Sequence, residues 1–205
     1  MSIADRLKSV KQSIPSGVEL VAVSKFHPAS ALMEAYDVGQ RCFGESRAAE
    51  LAEKAAMLPD DIVWHFIGHL QTNKVRRVVG CAHMIQSIDS ERLLMAVEAE
   101  AVRQEKHIDV LLQLHVAAEE TKFGLTPDEA YDLAVRVAPS LTHVAVRGVM
   151  GMASNTPDDL GRVAADFAAI RDTFDRLAAG PFVGDSRFAV CSMGMSDGAT
   201  RTARS

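Results

Sequence analysis

The sequence is poor in the residues that mark several large protein classes. It has only three cysteines, Cys42, Cys81 and Cys191, and no two of them have C-x-x-C spacing. Neither a disulfide framework nor a zinc ribbon is therefore indicated. Aromatic residues make up only 5% of the positions, and the formal net charge is -5. A nucleic-acid surface needs a basic stripe or stacking aromatics, so binding to nucleic acid is not expected.

Long apolar stretches are also missing. No run approaches the ~20 residues of a membrane span, and the first residues lack the apolar core of a signal peptide. We therefore expect a cytoplasmic protein without membrane contact. A chain of 205 residues that is 48% hydrophobic and 24% charged is ordinary for one globular domain.

What the sequence does contain is a regular alternation of strand-like and helix-like segments. Strands are predicted at 20–25, 41–44, 62–68, 84–88, 110–116, 144–150 and 188–193. Amphipathic helices are predicted at 3–13, 29–38, 46–57, 72–79, 90–106, 127–137 and 158–177. Thr126 and Glu129 fit a capping box, and Ser90 has the side chain of an N-cap. Such alternation predicts parallel strands with right-handed crossovers, which is the α/β class.

An open doubly wound sheet and a (β/α)8 barrel both fit this alternation. Doubly wound nucleotide binders usually carry a glycine-rich phosphate loop after a strand, and neither usual form of it occurs in this sequence. A barrel builds its site from residues at the C-terminal ends of several strands. Polar residues or glycines do lie at the C-terminal ends of the predicted strands, among them Lys25, Ser46, Gly68, His115 and Ser192. The barrel is favoured.

Lys25 is the most informative of these positions. It ends the apolar run at 20–24 and stands three residues before Pro28. A lysine at the C-terminal mouth of a buried strand is expected to be partly desolvated, which lowers its pKa and makes the amine a nucleophile for carbonyl groups. A solvated lysine at a strand end is the simpler interpretation of this position taken alone.

Two other segments carry residues with possible chemistry. His65 and His69 have the i, i+4 spacing of a metal pair, but the residues between them suit a strand and a turn, so no metal site is predicted. His65 either contacts a ligand or is an interior histidine. After the seventh strand, Ser192 and Ser196 are interleaved with Gly194 and Gly198, which suits an anion held by backbone N–H groups. With Lys25, this suggests an aldehyde that carries a phosphate.

Several motifs together resemble one family, the pyridoxal phosphate homeostasis proteins. They are V-A-V-S-K-F-H-P at 21–28, F-G-E-S at 43–46, W-H-F-I-G-H-L-Q-T-N-K at 64–74, T-K-F-G at 121–124, R-G-V-M-G-M at 147–152 and S-M-G-M-S-D at 192–197. The resemblance implies a TIM (β/α)8-type barrel of PLP fold type III, similar to the N-terminal domain of alanine racemase. It also implies pyridoxal 5′-phosphate (PLP) held as an aldimine, a Schiff base, on Lys25.

The resemblance further implies a role in PLP and amino-acid balance, without established catalytic turnover and with PLP-dependent apoenzymes as possible partners. The cofactor-binding residues predicted in this way are Lys25, Ser46, His65, Ser192, Gly194, Met195 and Ser196. Ser46 stands where the family often has an asparagine, and its side chain is shorter and has fewer hydrogen-bond donors.

The end of the chain departs from the family pattern. After Asp197 the sequence is polar and has no apolar strand pattern, so we predict a barrel domain over 1–197 and a tail over 198–205. A barrel with seven strands would be incomplete and would present open edges, and weak self-association through them is one expectation besides a monomer. The remaining alternatives are an interaction or structural remnant without cofactor, and a PLP-dependent amino-acid racemase.

Overall fold

Eight strands form one closed barrel at the centre of the molecule. The structure is a computed structural model, and it describes residues 2–116, 123–153, 159–195 and 199–204. The strands are β1 (Val18–Val23), β2 (Cys42–Glu45), β3 (Val63–Phe66), β4 (Met84–Ile88), β5 (Ile108–Leu114), β6 (Val144–Ala153), β7 (Val190–Met195) and β8 (Ala199–Arg204). The helices are α1 (Ile3–Ser13), α2 (Ala29–Asp37), α3 (Ala48–Met57), α4 (Val75–Cys81), α5 (Glu91–Arg103), α6 (Pro127–Arg136) and α7 (Leu160–Ala179).

The seven parallel strands predicted from the sequence are confirmed. Each of β1 to β6 pairs in parallel with the next strand along the chain. The helices between them cover the outside of the barrel, as right-handed crossovers require.

The end of the barrel differs from the prediction. Ala199–Arg204 forms β8, which runs antiparallel to both β7 and β1 and closes the barrel. The seven parallel strands of the prediction are present, but the open edges expected on β1 and β7 are instead paired with this short antiparallel strand. Ladder hydrogen bonds come from the backbone, and the unpaired edges of β1 and β7 offer them to any extended segment, so β8 needs no apolar sequence pattern.

Local capping explains where several helices begin. Thr126 and Glu129 form the predicted capping box at the start of α6, and the Ser90 hydroxyl accepts from the Leu93 N–H at the start of α5. The helix predicted at 72–79 begins instead with a short 3-10 turn, Thr72–Lys74, before α4.

Apolar residues fill two regions of the molecule. The larger lies between the sheet and the helices and includes Phe43, Trp64 and Phe66. The smaller is a cluster on β4 to β7 made of Met84, Leu111, Met150 and Val190. Among the described residues, no helix has the length and apolar character needed to cross a bilayer.

Glu98 on α5 ties the loop before β6 to the helix layer. Its carboxylate accepts hydrogen bonds from the backbone N–H groups of Thr142, His143 and Val144 at 2.8 to 3.2 Å. Burial alone would raise the pKa of Glu98, but these hydrogen bonds outweigh it and hold the pKa below its ordinary value of 4.5. The ionised carboxylate therefore stabilises the folded state.

This geometry predicts how stability depends on pH. Because the folded pKa is depressed, the stabilisation is complete above the unfolded pKa and is lost as the pH falls through the folded pKa. Glu98→Gln should lower the free energy of unfolding by about 1–3 kcal/mol near neutral pH. Urea unfolding of both proteins from about pH 6 down to about pH 3 should show the difference shrinking. A difference that stays constant over this range would contradict the assignment.

Candidate functional site

Lys25 lies just past the C-terminal end of β1, at the mouth of the barrel. The strand ends at Val23, two residues earlier than predicted, and Lys25 occupies the turn that leads to α2. Its side chain is half-buried, and among the residues that the structure describes it has no hydrogen bond or ion pair. An amine in this position can meet a ligand without first breaking an ion pair.

The strand register places His65 on the same face of the sheet as Val23, the last residue of β1 before the turn that carries Lys25. Val23 is opposite Gly44, and Gly44 is opposite His65. A side chain at Gly44 would meet Val21 and Ile67, so this face is the barrel interior. Side chains alternate along a strand, so Val21 and Val23 face the interior, and Lys25 follows them in the turn at the mouth.

A buried polar bridge crosses the interior. Gln86 on β4 is fully buried; its Nε2 lies 2.7 Å from His65 Nδ1, and its Oε1 accepts from the Ser192 hydroxyl at 2.8 Å. With the amide in this orientation Gln86 donates to Nδ1, so the neutral imidazole of His65 carries its proton on Nε2. The interior thus holds an imidazole donor and a serine hydroxyl on strands from opposite parts of the barrel.

His65 and His69 point to different surroundings. His65 is buried in the interior, whereas the imidazole of His69 is exposed, lies 3.1 Å from Asp89 and stacks on Phe123 with ring centroids 3.7 Å apart. No group of three metal-ligating side chains occurs within the described part of the chain.

Ser46 follows β2 at the same end of the barrel. It is half-buried, and its backbone is so close to Gly68 that a β-carbon there would lie 2.2 Å from the Ser46 carbonyl oxygen. Only glycine fits at position 68, which explains its place in the motif after β3. The loops after β2 and β3 are thereby held together beside the mouth.

The predicted residues on β7 are only partly described. Ser192 is buried with its hydroxyl on Gln86, and Gly194, two positions further along the same face, is buried as well. Met195 ends β7, and its side chain is outside what the structure describes. Ser196 lies outside the described residues.

Sequence reasoning missed a charged group behind the Lys25 turn. Glu45 at the end of β2 is fully buried, and its Oε1 accepts from the Ser24 hydroxyl at 2.7 Å and from Lys54 Nζ at 2.5 Å. Lys54, on α3, is also buried. A glutamate directly after the apolar Cys42, Phe43 and Gly44 was the available signal, because a charge that ends a buried strand needs a partner.

Comparison with known proteins agrees with this architecture. The family model described as the N-terminal domain of alanine racemase matches residues 1–204. A pyridoxal phosphate homeostasis protein of Schizosaccharomyces pombe is 34% identical over 180 residues, which cover 86% of this chain and 76% of the relative.

Solved structures of other proteins share this fold. PipY of Synechococcus elongatus PCC7942, whose structure has PLP bound, superposes with a TM-score of 0.79 at 34% identity, covering 87% of this chain and 82% of PipY. An alanine racemase from Corynebacterium glutamicum has a TM-score of 0.71 at 16% identity, covering 89% of this chain and 51% of the racemase. At that identity the racemase shows a shared fold alone.

Proposed function

We infer that this chain, which belongs to the pyridoxal phosphate homeostasis protein family, binds PLP at the barrel mouth and acts in vitamin B6 and amino-acid balance. The observation that carries the proposal is Lys25, a half-buried lysine at the C-terminal end of β1 without an ion-pair partner among the described residues.

The residues at the mouth fit this cofactor. When bound, PLP supplies an aldehyde carbon that a primary amine attacks with loss of water. Lys25 provides the amine, and its half-buried position in the turn at the mouth lets it reach a ligand that enters the barrel. His65, held by Gln86, presents a ring N–H to the interior and would orient the ligand by donating a hydrogen bond.

The remaining predicted contacts belong to the loops around the mouth. We assign Ser46 after β2, and Ser192, Gly194, Met195 and Ser196 on and after β7, to the cofactor-binding set. Hydroxyl and backbone N–H groups of this kind bind phosphate in barrels, where the loops after strands seven and eight commonly hold it.

A racemase is the less well supported alternative. Racemisation needs a second acid or base across the cofactor, often a tyrosine. Tyr36 lies on the outer helix α2 with its hydroxyl 2.7 Å from Asp61, and Tyr131 lies on α6 under the guanidinium of Arg176. Neither tyrosine belongs to the barrel interior. We therefore propose a carrier or regulator with PLP-dependent apoenzymes as recipients, located in the cytoplasm, rather than an enzyme with turnover.

Purified protein titrated with PLP tests the proposal. A visible absorbance band of the lysine adduct should appear and saturate, and borohydride should make the adduct permanent on the peptide that contains Lys25. Pyridoxine 5′-phosphate, which has no aldehyde, should give no band but should compete with PLP. Lack of any band at saturating PLP would refute the proposal.

A further inference from the structure

Two charged side chains of α3 hold the peptide groups on either side of Lys25. Lys54 Nζ donates to the carbonyl oxygen of Ser24, the residue before Lys25, at 2.8 Å. Glu50 Oε2 accepts from the N–H of Phe26, the residue after Lys25, at 3.1 Å. Glu50 and Lys54 also pair with each other at 3.3 Å. We call these two residues the α3 clamp.

One residue of the clamp, Lys54, also forms an ion pair with the buried Glu45. The side chain of Lys54 is 9% exposed and that of Glu45 is fully buried, and Glu45 Oε2 has no hydrogen-bond partner among the described residues. Burying an ion pair costs desolvation energy, and a well-packed apolar pair of similar volume is often at least as stable. The stability of α3 against the barrel therefore does not by itself require these charges.

The turn that the clamp holds is strained. Phe26 has φ of +66°, in the left-handed region that non-glycine residues seldom adopt. Its side chain is 66% exposed, and the only cation stacked on its ring among the described residues is Arg47, at 4.5 Å. A strained turn with little packing of its own persists only where its surroundings fix it. The turn has one backbone hydrogen bond of its own, from His27 N–H to the Ser24 carbonyl, and the hydrogen bond from Phe26 N–H to Glu50 adds a second restraint from outside it.

We propose that Glu50 and Lys54 are positioning residues for Lys25: by fixing the Ser24 carbonyl and the Phe26 N–H, they aim the Lys25 amine into the barrel mouth. The proposal rests on the function inferred above. Neither side chain needs to touch the cofactor, since each acts on the backbone that carries the reacting amine.

Fixing the backbone on both sides of Lys25 orients its amine. The lysine side chain has four rotatable bonds, so its amine reaches a bound aldehyde efficiently only if its α-carbon starts in the right place. Electrostatics supports the same assignment, because the hydrogen bond from Phe26 outweighs burial and, with Lys54, lowers the pKa of Glu50. The Glu50 carboxylate is therefore ionised over the neutral range.

The test compares two ligands on three variants of α3. Glu50→Ala removes the acceptor for Phe26 N–H, Glu50→Gln retains an oxygen in its place, and Glu53→Ala is the control, because Glu53 is exposed on the same helix. PLP reports on adduct formation, and pyridoxine 5′-phosphate, measured by competition or calorimetry, reports on the shape of the site. Thermal melting of each variant establishes that it is folded.

Glu50→Ala should lower the rate of adduct formation and the apparent PLP affinity by about 10- to 100-fold, the range seen for residues that orient metal ligands. Its affinity for pyridoxine 5′-phosphate should stay within about twofold of the wild type. Glu50→Gln should recover most of the loss, and Glu53→Ala should change the binding of neither ligand.

Equal losses for the two ligands would make the clamp a general structural support and overturn the proposal, as would Glu50→Ala with wild-type adduct formation. A wild-type protein that forms no adduct would overturn the proposed function and this inference with it. The two failures are distinguishable, because the first concerns how the variants bind PLP and pyridoxine 5′-phosphate, whereas the second is seen in the wild-type protein alone.

Discussion

Replacing Lys25 with alanine is expected to abolish the visible band that PLP produces with the wild-type protein. No other amine is proposed at the barrel mouth, and the amine of Lys54, which contacts the turn that carries Lys25, is hydrogen-bonded to Glu45 and to the Ser24 carbonyl. The apparent affinity for PLP should fall by at least tenfold, since ~1.4 kcal/mol of lost attachment energy already gives that factor. Pyridoxine 5′-phosphate should still bind.

Two matched variants make this result specific. Lys25→Arg keeps the charge but offers no primary amine, so it should also lose the band. Lys8→Ala removes an exposed lysine of α1 and should leave the band unchanged. A Lys25→Ala protein that retains the band, with borohydride trapping on a different peptide, would show that another lysine is the attachment point.

Lys54→Met is expected to have the largest effect on stability. It would leave the Glu45 carboxylate fully buried, with the Ser24 hydroxyl as its remaining hydrogen-bond partner among the described residues. Breaking a buried pair by removing one partner typically costs ~3–5 kcal/mol. In a chain of this size that corresponds to a fall in melting temperature of roughly 10 °C, which calorimetry or circular dichroism would measure.

A second substitution distinguishes charge burial from lost packing. In the double variant Glu45→Gln with Lys54→Met, no uncompensated charge remains, so most of the stability should return. Its PLP adduct should nevertheless form more slowly than in the wild type, because the Ser24 carbonyl has lost the Lys54 donor and keeps the His27 N–H. If the double variant is less stable than Lys54→Met alone, the buried charge is not the cause of the destabilisation.

The fold could be predicted where residues repeat a period or cap an element. Val21 and Val23 indicated β1, and Thr126 with Glu129 marked the start of α6. The eighth strand could not be predicted in this way. Its segment is polar, and what makes it a strand is the pair of edges presented by β1 and β7, which lie far apart in sequence.

The site could be predicted only in part for a similar reason. Lys25 and His65 stand out because each interrupts an apolar strand pattern, and both occur in motifs that resemble a family. Gln86 was missed because a glutamine in a strand has no particular meaning until its neighbours are known. Glu50 and Lys54 look like an ordinary i, i+4 pair on a helix surface. Their role depends on the backbone of the turn after β1, which the spacing along α3 does not reveal.

The antiparallel pairing of β8 has a consequence for how the protein folds. Val18 at the beginning of β1 pairs with Ala203 near the end of the described chain, so the contact that closes the barrel joins nearly the most distant residues in the sequence. Closing so long a loop is entropically costly, and pairings of this kind form late. We therefore expect refolding to pass through a species in which β1 to β7 are assembled and the seam is still open. Such a species would expose two strand edges for a short time, and dilute refolding conditions should favour seam closure over aggregation.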